Sequence, residues 1–238
     1  MPIHIRANPD DVAERVIIVG DPARAKQLVD LLTNARIVNE NRGFITYTGE
    51  YKGVNVSIAT HGVGAPSAAI VIEELISLGA KTIIRLGTAG ALRREIGIGD
   101  AIIPTGSAYN YGGIYAQYLG GFISYPAIPD HTVLTALMQS LVKAGIKPWI
   151  GPVYSSDAFY AEEDLVNVMG SRGILAVEME TAILFLLGLI RNVKTGAVLI
   201  VSNNLTEGRT GRFLTASELR DVVLRVGKAV LEAITTIG

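Results

Sequence analysis

The chain has 238 residues, of which 49% are hydrophobic and 18% charged, with a formal net charge of −1. That length suits one large α/β domain over residues 1–238; the charge balance lacks the basic footprint of non-specific nucleic-acid binding, and no apolar run reaches the roughly 18 residues that span a membrane. Without cysteine there is no disulfide or thiolate chemistry, His4, His61 and His131 lie too far apart for a metal-ligand motif, and no charged leader precedes an apolar segment, so the sequence reads as that of a cytoplasmic protein.

In chain order, residues 15–20 read as a short buried strand. It ends in Gly20-Asp21-Pro22, which places proline at the start of a helix running to about residue 32. Residues 44–51 and 54–60 alternate in period two and are joined by Lys52-Gly53, which predicts a hairpin. Gly62-Val63-Gly64-Ala65-Pro66-Ser67 opens an amphipathic helix to residue 78, and residues 81–86 form the next buried strand. Gly87-Thr88-Ala89-Gly90 reads as a glycine-rich loop, and residues 100–104 as another strand. From 106 to 130 periodicity disappears, and five of the nine tyrosines (Tyr109, Tyr111, Tyr115, Tyr118 and Tyr125) sit there among glycines and prolines. A connection this long serves as a lid, a subunit contact or both.

Helices are predicted over 132–144 and 162–169, with a strand at 149–155 between them. Residues 174–177 form a strand leading into a helix over 181–190 that is apolar nearly all round. Glu178 and Glu180 therefore lie where a desolvated charge costs several kcal/mol unless it is bound. A helix N-terminus favours a carboxylate by about 0.3–1 kcal/mol, which accounts for one glutamate better than two. A polyhydroxyl ligand donating hydrogen bonds to the second would resolve the imbalance. Residues 195–201 are a buried strand, Ser202-Asn203-Asn204 starts a polar loop containing Arg209 and Arg212, and a helix over 215–234 closes the chain. Strand alternates with helix throughout, so the sheet is mostly parallel and covered on both faces.

Four strand ends carry polar or glycine-rich sequence: Gly20 with Arg24, Arg85 with Thr88, Glu178 with Glu180, and Ser202 with Asn203. Ligands of open α/β sheets bind beyond the carboxyl ends of strands, where these sets should converge. Gly20, Arg24, Arg85 and Thr88 suit a phosphate, since guanidinium forks match phosphate oxygens and glycine permits close backbone approach. Taken singly, Arg24 also fits a solvated helix position, Glu180 a helix cap or an ion pair with a neighbouring arginine, Asn203 a turn, Phe159 the core and His4 the surface. The pattern is neither a P-loop nor a G-x-G-x-x-G fingerprint, so neither a nucleoside triphosphate nor NAD is indicated.

Pro2-Ile3-His4-Ile5, Gly20-Asp21-Pro22-Ala23-Arg24, Asn41-Arg42-Gly43, Tyr47-Thr48-Gly49, His61-Gly62-Val63-Gly64, Pro66-Ser67, Arg85-Leu86-Gly87-Thr88-Ala89-Gly90, Ser156-Asp157-Ala158-Phe159-Tyr160 and Val177-Glu178-Met179-Glu180 follow one another over nearly the whole chain. In this order and spacing they resemble the nucleoside phosphorylase family, in particular its hexameric purine nucleoside phosphorylases. The resemblance implies a three-layer α/β/α sandwich with a mixed, partly barrel-like sheet, assembled as a trimer of dimers. It implies phosphate-dependent cleavage of a nucleoside to free base and ribose 1-phosphate, with orthophosphate as co-substrate and no metal or organic cofactor. By resemblance Gly20, Arg24, Arg85 and Thr88 hold phosphate, joined by Arg42 of a neighbouring subunit. Glu180 and Met179 hold the ribose, and His4 of the neighbour meets its 5′-hydroxyl. Phe159, Val177 and Glu178 flank the base, while Ser202 and Asn203 face its edge.

Asn203 departs from the family pattern, because the bacterial hexameric branch generally carries an aspartate there as general acid. An amide can donate and accept hydrogen bonds but has no proton to give up. Donation to N7 and O6 then implies a preference for inosine and guanosine over adenosine. Of Arg209, Arg212 and Arg220, none aligns with the arginine that supports the acid in that branch. The alternatives are a 5′-methylthioadenosine phosphorylase, then a uridine phosphorylase (although the residues after Phe159-Tyr160 lack the glutamine and arginine that read uracil), then a nucleoside-binding module without catalysis.

Overall fold

The computed structural model describes residues 2–161, 163–206, 213–215 and 217–237. The first strand, β1 (Arg15–Val19), passes through the turn at Gly20 into α1 (Pro22–Val29). Asp21 stops the strand by capping: its side chain accepts a hydrogen bond from the Ala23 N–H, and Pro22 takes the first helical turn, where its missing N–H goes unneeded. β2 (Thr33–Asn39), β3 (Thr46–Tyr51) and β4 (Val54–Thr60) form an antiparallel meander that returns beside β1. After α2 (Ala65–Ser77) come β5 (Thr82–Ala91), β6 (Ala101–Tyr109), α3 (Gly113–Leu119), α4 (His131–Lys143) and β7 (Trp149–Ser155). The chain ends with α5 (Glu163–Ser171), β8 (Ala176–Glu178), α6 (Thr181–Arg191), β9 (Lys194–Asn204) and α7 (Arg220–Thr236).

Among the described residues nine strands lie in the order β2-β3-β4-β1-β5-β8-β7-β6-β9, and β9 pairs back onto β5. The strands β5, β8, β7, β6 and β9 thus close into a ring, and the rest of the sheet extends from it as an open wing. The pairing is mixed: β1 runs parallel to β4 and β5, and β5 to β9, whereas β8 and β6 meet their ring neighbours β5 and β9 antiparallel.

Alternation along the central strands builds the layers. Ile17, Val19, Ile84, Leu86, Val198 and Ile200 face a cluster that includes Leu28 of α1, Leu137 of α4 and Val230 of α7. Val16, Ile18, Ile83 and Ala197 face the other side, against Ile72 of α2 and Phe185 of α6. A third cluster draws Ala89, Ile102, Val153, Ala176 and Leu199 from all five ring strands and fills the ring. The fold is the expected α/β/α sandwich with a mixed, partly barrel-like sheet.

Several local expectations need correction. Gly87-Thr88-Ala89-Gly90 is not a loop, because β5 continues through it to Ala91 with β9 paired alongside. Main-chain pairing to a long neighbour outweighs the turn tendency of the glycines. β2 was not anticipated; it is an edge strand whose first five residues are exposed, so it has no apolar alternation to read. β8 is displaced to Ala176–Glu178, β6 extends to Tyr109, and α7 begins at Arg220. Part of the tyrosine-rich connection folds as α3. Tyr115 is buried, its ring stacks on Tyr109 at 4.2 Å, and the Tyr109 hydroxyl donates to the Tyr125 carbonyl at 2.8 Å. Arg209 and Arg212 lie outside the described residues.

Candidate active site

Because β1, β4, β5 and β9 are mutually parallel, their carboxyl ends share one side of the sheet. A cavity of about 1170 Å³ opens there. Its walls bring together Gly20, Arg24, Arg85, Thr88, Phe159, Val177, Glu178, Met179, Glu180, Ser202 and Asn203, all from separate strand ends or the turns after them.

Arg24 reaches this cavity from the first turn of α1 and is only 5% exposed. Its Nη1 donates weakly to the Leu86 carbonyl at 3.5 Å, while Nε is buried without a hydrogen-bond partner. Burial, aided by the like charge of Arg85, lowers its pKa to about 10. Arg85 projects from β5, and its Nη2 donates to Glu180 and lies 3.3 Å from Oε2 of Glu178. Burial disfavours its charge, but the two glutamates hold the pKa above its ordinary value. Arg85 Nε and Nη1 are also buried without partners. A pair of cations with buried, unused N–H groups on one wall calls for an anion.

Two glycines make this wall possible. A Cβ at Gly87, two residues beyond Arg85 and so on the same strand face, would overlap the Arg85 guanidinium. A Cβ at Gly20 would stand 3.0 Å from the Gly62 carbonyl, closing the approach between the turns after β1 and β4.

The two glutamates divide their work differently from expectation. Glu178 caps α6: it accepts from the Glu180 N–H at 2.9 Å, from the Thr181 N–H at 2.9 Å and from the Ser155 hydroxyl. Ser155 in turn accepts from the Ala182 N–H at 2.9 Å. Glu180 accepts from the Gly64 N–H at 2.6 Å and from Arg85. Both carboxylates therefore have partners within the chain, and no polyhydroxyl ligand is required to stabilise the second. Burial raises the pKa of Glu178; in Glu180 burial works the same way but is outweighed by the Arg85 charge, which holds it below the ordinary carboxylate value.

Across the cavity, the Ser202 hydroxyl donates to Oδ1 of Asn203 at 3.1 Å. That contact turns the amide so that its Nδ2 is the group left to donate. The adjacent Asn204 has a different task, spanning the carbonyls of Arg93 and Ile96 at 3.0 and 2.8 Å. Phe159 is 52% exposed at the rim, edge-to-face with Tyr160 at 5.1 Å, so it is not the core aromatic that its composition alone allows.

Two anticipated residues stand apart. His4 and Arg42 are not in the cavity wall of their own chain. His4 lies on the N-terminal arm against α2, and Arg42 sits in a tight turn with φ 56°. Other residues were overlooked. Val63 and Phe213 are exposed apolar side chains lining the cavity, and His61 is fully buried beside it with neither ring nitrogen partnered. Val63 between two glycines with positive φ was the available signal; His61 carried none beyond its place at a strand end. Among the described residues no group of three or more His, Asp or Glu side chains is placed to hold a metal, and no helix is long and apolar enough to cross a membrane.

Comparison with known proteins gives the family. The family model described as the phosphorylase superfamily matches residues 14–237. A guanosine phosphorylase of Halorubrum lacusprofundi is 35% identical over 98% of both chains. A DeoD-type purine nucleoside phosphorylase of Roseobacter denitrificans is 37% identical over 98% of this chain and 99% of its own. The crystal structure of uridine phosphorylase from Vibrio fischeri, complexed with 6-hydroxy-1-naphthoic acid, superposes with a TM-score of 0.88 at 31% identity, covering 99% of this chain and 97% of that one. With full-length relatives at this identity and a family match over nearly every residue, the chain belongs to the phosphorylase superfamily, as an enzyme of its nucleoside phosphorylase family.

Proposed function

We propose that this enzyme is a purine nucleoside phosphorylase that prefers 6-oxopurines, with orthophosphate as co-substrate. The observation that carries the reading is the buried Arg24–Arg85 pair, which keeps unpartnered N–H groups and lines the same cavity as Glu180 and Asn203. Orthophosphate fits between the guanidiniums and the main chain at Gly20 and Thr88, which supply forked donors and close approach. Glu180 has lone pairs for ribose hydroxyls, Met179 packs on the sugar, and Phe159 and Val177 flank the base.

The chemistry then follows from charge. As the glycosidic bond lengthens, the sugar gains oxocarbenium character, and phosphate acts as nucleophile and counter-charge on the face opposite the base. The electron pair of the broken C–N bond moves onto the purine. Asn203 Nδ2 donates hydrogen bonds to N7 and to O6, stabilising that charge without transferring a proton, and the departing purine anion takes its proton from water. Adenine offers a 6-amino donor where O6 would be, and the amide N–H has nothing there to bind. We further propose that His4 and Arg42 serve the cavity of a neighbouring copy in a trimer of dimers, His4 at the nucleoside 5′-hydroxyl and Arg42 at phosphate.

The test is base release from inosine, guanosine, adenosine, 5′-methylthioadenosine and uridine, with and without orthophosphate. Phosphate-dependent cleavage led by inosine or guanosine is expected. Faster adenosine or methylthioadenosine cleavage would refute the 6-oxopurine preference, and uridine as best substrate would favour the second reading, a uridine phosphorylase, to which the 0.88 TM-score structural likeness lends weight.

A further inference from the structure

The N-terminal arm is fastened to α2 by a single carboxylate. Glu74 accepts the main-chain N–H of Ile3 at 3.0 Å, of His4 at 2.9 Å and of Ile5 at 2.6 Å, and lies 2.8 Å from Nδ1 of the His4 ring. Although burial opposes ionisation, those donors hold the Glu74 pKa below the ordinary carboxylate value. An ionised carboxylate only accepts, so in the neutral ring the proton sits on Nδ1 and Nε2 keeps its lone pair. Phe44 meets the same ring edge-to-face at 6.1 Å, fixing its plane from a second direction. The Asn41 amide ties the other side of the arm, donating to the carbonyls of His4 at 2.9 Å and Ile3 at 3.3 Å. Asn41 adjoins Arg42, so the arm and the Arg42 turn are secured by one network.

An arm that needed only anchoring would be satisfied by the three main-chain bonds. The fourth acts on the imidazole alone and settles which nitrogen of the neutral ring is left as an acceptor. His4 does not line its own cavity. We propose that Glu74 is a positioning residue that locks His4 in the Nδ1–H tautomer, so that Nε2 accepts a hydrogen bond from the 5′-hydroxyl of a nucleoside held by a neighbouring copy and selects for that hydroxyl. This rests on the reading of the enzyme as a nucleoside phosphorylase completed by a neighbour's His4.

Two measurements test it. With three histidines in the chain, the 15N imidazole signals can be assigned by comparison with His4→Ala. The His4 signal is expected to show Nδ1–H in the wild type and a mixture of tautomers in Glu74→Gln. An Nε2–H signature in the wild type overturns the inference whatever the activity. The second measurement is the ratio of kcat/KM for inosine over 5′-deoxyinosine at saturating phosphate. It should fall about tenfold in Glu74→Gln and in His4→Ala, the worth of one hydrogen bond, and no further in the double variant. A wild-type ratio near one, equal losses on both substrates in Glu74→Gln, or a further fall without His4 overturns the inference while phosphorolysis stands. Absence of phosphate-dependent cleavage of either nucleoside overturns the underlying reading instead. Should Glu74→Gln not fold, Glu74→Asp, which withdraws the same charge by one methylene, is expected to lower the ratio, and an unchanged ratio counts against the proposal.

Discussion

Arg85 lies across β5 with its guanidinium over Gly87, in the space that a β-carbon would occupy. Gly87→Ala is therefore expected to push the guanidinium out of place while leaving the strand formed. A displacement of about 1 Å in a positioning group can cost about a hundredfold, and kcat/KM for phosphate should fall by about that factor; unchanged kinetics would mean that the guanidinium position is immaterial. On the opposite wall, Asn203→Asp supplies a carboxyl able to protonate N7 and an oxygen able to accept from a 6-amino group. The ratio of adenosine to inosine turnover should rise about tenfold or more and strengthen as pH falls. A ratio that does not move would remove Asn203 from base recognition. These side chains were readable as a set because charged and amide residues at the ends of apolar strands are out of place unless they serve a ligand. Their individual tasks were not. Glu178 and Glu180 look interchangeable in sequence, and only the direction of the first turn of α6 makes one the cap and the other the partner of Arg85.

That cap sets the next prediction, at the scale of the helix. Glu178→Ala leaves the N–H groups of Glu180 and Thr181 and the Ser155 hydroxyl without their acceptor, inside a buried ion pair with Arg85. Arg85 keeps Glu180 as its counter-charge, so the cost is that of the orphaned buried donors, about 1–3 kcal/mol each, and urea unfolding should show a loss of about 2 kcal/mol or more. A loss below about 1 kcal/mol would mean that α6 needs no cap. At this scale legibility followed burial. β1, β4, α2, α6 and β9 bury one face or two, so their apolar periods announce them. β2 is exposed along most of its length and announces nothing. β5 was cut short because glycines that serve close packing of Arg85 look, in one dimension, like glycines that serve a turn. The helix α3 was hidden for a related reason, since its tyrosines and glycines carry no clean apolar stripe.

For the whole molecule, the buried charges set how stability responds to acid. His61 is fully buried, which lowers its pKa from 6.5 to about 4, so the folded chain keeps the ring neutral. Once unfolded, the ring takes up a proton near its ordinary value of about 6.5. Between those limits the unfolded state binds more protons, and stability is lost as pH falls from about 6.5 to about 4, by about 3 kcal/mol in all. Above 6.5 this group contributes no slope. Urea titrations between pH 6.5 and 5, above the range of ordinary carboxylates, should show that slope in the wild type and a flatter profile in His61→Asn. An equal slope in both would place the proton uptake elsewhere. The ring of strands was also a whole-molecule property beyond one-dimensional reading: β9 pairs with both β5 and β6, and no local pattern in the sequence reports that a last strand returns to an earlier one.

The ring has a further consequence for how the molecule comes apart. Amides in β5, β8, β7, β6 and β9 have a bonded neighbour on either side, whereas β2 ends the wing with one side bare. Deuterium should therefore enter first at β2 and last in the ring, where release demands unfolding of the whole. Arg85, Glu178 and Asn203 ride on the slow strands while Arg24 rides on a helix outside them, so warming should loosen the Arg24 half of the anion grip before the Arg85 half.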